Sequence, residues 1–126
     1  MKDKIWLEKL KAKFAASAIY SDDFYDLLNE AVIDKRISFA GILFDAAKGH
    51  GCRVSEGFFY SLDQDWDNPS EFDGVAFFIG DIESSVMPVK DYLALIKIAA
   101  EVYLESFPEE MKRIFDSLEE IEKRYS

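Results

Sequence analysis

The stretch RVSEGFFYSLDQDWDNPSEFDGVAFFIGDIESSVM, residues 53–87, decides the fold. Residues 53–62 and 75–79 are aromatic and β-branched in character, and Asp67-Asn68-Pro69-Ser70 between them is a turn signal. Residues 82–87 follow after the turn residues Gly80-Asp81. That order predicts three antiparallel strands in a meander. The flanking sequence has helical spacing, so the chain reads as one α+β domain over residues 1–126, a three-stranded antiparallel meander packed against several helices.

Working outward, the N-terminal third is predicted to be helical. From residue 4 to about 19, Trp6, Leu10 and Phe14 share one stripe while Lys9, Lys11 and Lys13 lie mostly off it. Ser21 followed by Asp22 and Asp23 is an N-cap with acids in the first turn. Phe24, Leu27, Leu28, Ala31 and Val32 then recur at helical spacing, which predicts a helix of about 13 residues. Residues 37–48 fit a buried strand or a helix; Gly49 after Ala46-Ala47-Lys48 is a helix stop and favours the helix. Beyond the meander, Lys97, Glu101 and Glu105 repeat every fourth residue and most of the opposite face is apolar, so residues 88–107 should form a helix largely buried against the sheet. Ser106 with Glu109 resembles a capping box, Pro108 sits inside the first turn, and Met111, Ile114, Phe115, Leu118 and Ile121 mark the apolar face of a last helix ending near residue 124.

Composition narrows the function. With 126 residues, 49% of them hydrophobic and 15% aromatic, the chain can bury one sizeable core. A net charge of −10 and a pI near 4.5 disfavour nucleic-acid phosphates and anionic lipid, and make basic partners the natural complement. Cys52 is the single cysteine and has no internal disulfide partner; the N-terminus lacks the apolar core of a secretory signal, so the cytoplasm is the expected compartment. The longest apolar stretch, residues 92–104, is interrupted by Lys97 and Glu101, so no membrane span is expected. The oligomeric state is open, with a monomer expected.

The residues that carry chemistry are sparse. His50 and Cys52, two apart in Gly49-His50-Gly51-Cys52, form a formal thiolate pair, but the favoured reading is a glycine-permitted turn after a helix with Cys52 a small buried apolar residue. Asp63, Asp65 and Asp67 alternate like the start of an EF-hand loop. The rest of that loop fails: Asn68 stands where glycine is wanted, Pro69 follows, and Gly74 occupies the place of the bidentate glutamate. A lone His and a lone Cys cannot furnish a transition-metal site. Gly49-x-Gly51 lacks the third glycine of a phosphate loop. No catalytic residue, metal or cofactor is expected, and the reading leans away from an enzyme.

What stands out is charge placement. Residues 54–89 hold eight acidic residues and no Lys or Arg, while residues 1–53 hold nine basic and eight acidic and residues 90–126 hold six and nine, so the middle third carries −8 of the −10. Within it, Trp66 and Phe72 are embedded among Asp63, Asp65, Asp67, Glu71 and Asp73. Large aromatics flanked by charge of one sign are what a protein-binding surface uses, anchors in the centre and steering around them. These seven residues are the candidate partner-binding site. The alternative is a cation-binding or small-ligand regulatory domain with Asp63, Asp65 and Asp67 as oxygen ligands.

The blocks KGHGCRVSEGFFYSLDQDWDNPSEFDGVAFFIG, residues 48–80, and YLALIKIAAEVYLESFPEEMKRI, residues 92–114, resemble the immunity proteins of bacterial contact-dependent growth inhibition systems, in the group that neutralises ribonuclease toxins. The resemblance covers about residues 48–115. It lies in the glycine-rich turn leading to Cys52, the acidic-aromatic loop, the EFDGVAFF strand entry at residues 71–78 and the YLESFPEE helix end at residues 103–110. It implies a small cytoplasmic α+β protein that is not an enzyme and that binds its cognate toxin domain. The physics is consistent: a ribonuclease holds RNA phosphates with Lys and Arg, and a carboxylate-bearing surface can cover that basic cleft.

Overall fold

The computed structural model describes residues 2–19 and 21–125. Three helices come first: α1 (Lys2–Ala16), α2 (Asp22–Ile33) and α3 (Phe39–Ala47). A block of strands follows, β1 (Cys52–Ser55), β2 (Phe58–Ser61), β3 (Val75–Ile79) and β4 (Ile82–Met87), and then the helices α4 (Val89–Ser106) and α5 (Met111–Tyr125). The architecture is α+β with a four-stranded antiparallel sheet in the order β1-β2-β3-β4.

The sheet thus has one strand more than the sequence reading of three. Residues 53–62, expected to form one strand, fold back at Glu56-Gly57. Gly57 adopts φ +81°, which residues with a Cβ rarely do, and a Cβ there would stand 3.1 Å from Gly80 Cα and Asp81 N. The second hairpin turns at Gly80 and Asp81, both left-handed (φ 62° and 64°), the twist that suits a two-residue hairpin loop. The two tips touch, with the Asp81 amide donating to the Gly57 carbonyl at 3.2 Å.

The inner sheet face carries Cys52, Val54, Tyr60, Val75 and Phe77 into the core. Phe24 of α2 is the hub beneath it, stacked on Phe77 and Tyr92 at 5.7 and 5.4 Å and edge-on to Tyr60 at 5.8 Å. The Tyr60 and Tyr92 hydroxyls bond each other at 2.8 Å, so two fully buried polar groups satisfy one another. Burial pushes both phenols well above their ordinary pKa.

Several helix boundaries and faces differ from the sequence reading, each for a local reason. α1 stops at Ala16 rather than near residue 19 because the Ile19 amide bonds to the Ser17 hydroxyl, a side-chain competitor of the helix. Ser21 and Ser38 cap α2 and α3, accepting from the Phe24 and Gly41 amides, and Gly49 (φ +88°) terminates the α3 region. α4 lies closest to α1 and α5 rather than flat on the sheet. Tyr92 in its first turns meets Tyr60 of β2, whereas Tyr103 near its end packs on Trp6 of α1 and Phe39 of α3. No Ser106–Glu109 capping box forms: Ser106 ends α4, and Phe107, with no side-chain acceptor, precedes a 3₁₀ turn at Pro108–Glu110. α5 buries Ile114, Ser117 and Ile121, a stripe too narrow to cover Met111 and Phe115, which stay exposed. No helix among the described residues is long and apolar enough to cross a membrane.

Candidate functional site

The acidic-aromatic loop connects β2 to β3 across residues 62–74 and holds two 3₁₀ turns, Asp63–Asp65 and Pro69–Glu71. Its carboxylates divide into two sets. Asp63 accepts from the Tyr125 hydroxyl at 2.6 Å, from Arg124 Nη1 at 2.9 Å and from Gln64 Nε2 at 3.0 Å. Burial alone would raise its carboxyl, but the bonds from Tyr125 and Gln64 and the Arg124 charge outweigh that, and it lies below the ordinary range. Tyr125 shifts the opposite way, its hydroxyl held protonated by burial and then by the Asp63 bond. Arg124 also donates from Nε to the Ala47 carbonyl at 3.2 Å, so one guanidinium ties α5, the end of α3 and the loop together.

Asp65 is a staple of another kind. Its Oδ2 accepts the Gly51 and Leu62 amides at 2.7 and 2.9 Å, and Oδ1 lies 3.2 Å from His50 Nδ1. The Gln64 amide donates to the Gly49 carbonyl at 2.9 Å. Segment 49–51 and the loop therefore hold each other. Gly51 has to be glycine, since a Cβ there would lie 1.9 Å from the Tyr60 carbonyl oxygen. Of the seven candidate partner-binding residues, Asp63 and Asp65 therefore spend their carboxylates on amide, phenol and guanidinium donors within the chain.

Asp67, Glu71 and Asp73 are exposed. Glu71 accepts one bond from Asn68 Nδ2 at 3.2 Å, and the carboxylates of Asp67 and Asp73 have no partner among the described residues. Trp66 and Phe72 are half-buried, edge to face with ring centroids 5.7 Å apart. Phe72 leans on Tyr125 at 5.9 Å, and Trp66 donates from Nε1 to the Ser61 hydroxyl at 3.3 Å. The indole thus lies against the outer sheet face, opposite the helices.

There the loop borders a groove of about 450 Å³ lined by Phe59, Trp66, Asp67, Glu71, Phe78 and Glu83 among others. Phe59 and Phe78 were not among the candidates read from the sequence. They were nonetheless legible: adjacent residues on a strand face opposite ways, so Phe58-Phe59-Tyr60 and Phe77-Phe78 must each place a ring outside the core. Glu83, opposite Phe78 on β4, completes the outer row.

The same arrangement bears on the other chemistries. Asp63 and Asp65 turn to separate intramolecular partners while Asp67 faces solvent, and no cluster of three or more His, Cys, Asp or Glu suited to a metal occurs among the described residues. Cys52 is buried on the inner face and its thiol is pushed up to about 12, by burial first and by the Asp45 carboxylate second, which leaves it protonated at neutral pH. His50 faces Asp65 on the surface side. Comparison with family models, with curated proteins and with solved structures finds no match to this chain.

Proposed function

We propose that this chain is an immunity protein, acting by binding rather than by catalysis. It neutralises a ribonuclease toxin by covering the basic substrate cleft of the toxin domain. The observation that supports this most is the exposed set Asp67, Glu71 and Asp73, none of them ion-paired among the described residues, beside the Trp66–Phe72 pair and an open groove. Charge of one sign with no internal cation beside it steers a basic protein, and rigid aromatics next to it provide contact area. The resemblance of residues 48–115 to ribonuclease-toxin immunity proteins supports the same reading.

The test begins with the neighbouring upstream reading frame, which should encode the C-terminal end of a very large secreted protein. Its last domain, purified, should form a one-to-one complex with this chain and lose nuclease activity. The triple variant Asp67→Lys, Glu71→Lys, Asp73→Lys should associate at least tenfold more slowly at low salt and with a flattened salt dependence. An unchanged rate and salt slope would remove this face from the interface.

A further inference from the structure

The outer face of the sheet carries a row whose chemistry specifies more than negative charge. Arg53, Phe59, Phe78 and Glu83 stand opposite one another on the four successive strands. The Arg53 guanidinium carbon lies 4.2 Å from the Phe59 ring centroid. Phe59 is stacked on Phe78 with centroids 4.7 Å and planes 12° apart. The row therefore runs cation, ring, ring, carboxylate. One end of the stack is occupied by a guanidinium from the chain itself. At the other end no further ring or cation meets Phe78 among the described residues, and the Glu83 carboxylate is unpaired. The groove opens at that end, and Trp66, Asp67 and Glu71 also line it.

A cation that lies flat on an aromatic ring while its edge reaches a carboxylate is a guanidinium. It is planar and weakly hydrated, whereas an ammonium is a compact and strongly hydrated point charge. We propose that the groove receives an arginine side chain of the partner protein, stacked on Phe78 and hydrogen-bonded to Glu83, with Asp67 and Glu71 supplying the surrounding negative potential. Arg53 on Phe59 is the internal counterpart of that contact. A second copy of this chain is a poor donor of the arginine, because two molecules of net charge −10 repel. This inference rests on the acidic face being the partner-binding surface and adds the side chain that enters it.

The probes are two capped tripeptides, acetyl-Gly-Arg-Gly-amide and acetyl-Gly-Lys-Gly-amide, titrated into the ¹⁵N-labelled full chain and followed by NMR. The arginine peptide should give saturable shifts centred on the Trp66 indole and on the amides of Ser61, Phe78 and Glu83. It should bind roughly fivefold more tightly than the lysine peptide, the factor of a partly exposed cation–π contact. Phe78→Leu should abolish that preference while its amide spectrum stays that of the folded chain, and Glu83→Gln should weaken both peptides. Equal affinities, or shifts scattered over the acidic surface, would overturn the inference. If the preference is absent yet lysine substitutions at Asp67 and Glu71 still slow association with the nuclease, the interface stands and the arginine does not. If those substitutions leave the nuclease unaffected, the interface reading falls first, and the partner named here falls with it.

Discussion

Asp63 and Asp65 lie only a few residues from Asp67, Glu71 and Asp73 in one acidic run, yet the two groups do opposite work. The first pair is turned inward, each carboxylate meeting two or more donors, and its charge replaces backbone and side-chain partners that a loop cannot find in a sheet or helix. The outward group meets one amide side chain between its three members. Composition is therefore no guide to role within such a run. The number of donors each carboxylate meets is: where partners are internal the acid belongs to the scaffold, and where there are none it is free for another molecule.

The sharpest way to break this division is at Gly51. A Gly51→Val side chain collides with the Tyr60 carbonyl and displaces the strand start that positions the Asp65 acceptor, so a loss of about 3 kcal/mol in urea unfolding is expected. Asp65→Ala should lose about 2 kcal/mol, because two amides are left without an acceptor. Arg124→Ala should lose about 1 kcal/mol, since its ion pair with Asp63 is partly solvated. The sign of the acid response follows from the depressed Asp63 pKa. Its contribution is present above the unfolded value of about 4 and is lost as pH falls through the lower folded value, so the gap between wild type and Asp63→Asn should narrow over that interval in urea midpoints. Smallest of all, lysine at Asp67, Glu71 or Asp73 should move stability by less than about 0.5 kcal/mol while slowing partner association. A stability loss there comparable with that of Asp65→Ala would erase the distinction.

The alkaline side supplies a separate check on the core. Tyr60, Tyr92, Tyr103 and Tyr125 all have hydroxyls raised by burial. Their contribution is complete below the unfolded value of about 10 and is lost as pH rises through the folded values. In an ultraviolet titration these four should not ionise near pH 10 but together with unfolding above it.

Much of this fold was legible because its helices carry apolar stripes, two of them are capped by serine, and its strands are bounded by turn residues. Ser21, the Gly49 stop and the Gly80-Asp81 turn all stand where the sequence puts them. Gly57 was passed over because one glycine inside an aromatic run reads as a weak point in a strand, while only its positive φ makes it a turn. The contacts of α4 were misjudged because a broad apolar face says that a helix is buried and not against what. At the site, residue types were visible and partners were not. The bonds from Arg124 and Tyr125 to Asp63 span 61 and 62 residues, a separation no local pattern encodes.

The two tryptophans have a practical bearing on all these measurements. Trp6 is wholly enclosed between Phe39 and Tyr103, while Trp66 is half-exposed beside Ser61 and Phe72. Acrylamide should therefore quench one emitter and spare the other. The Trp6→Phe variant would then report optically on loop occupancy alone and Trp66→Phe on global melting alone, two independent signals from one unlabelled molecule.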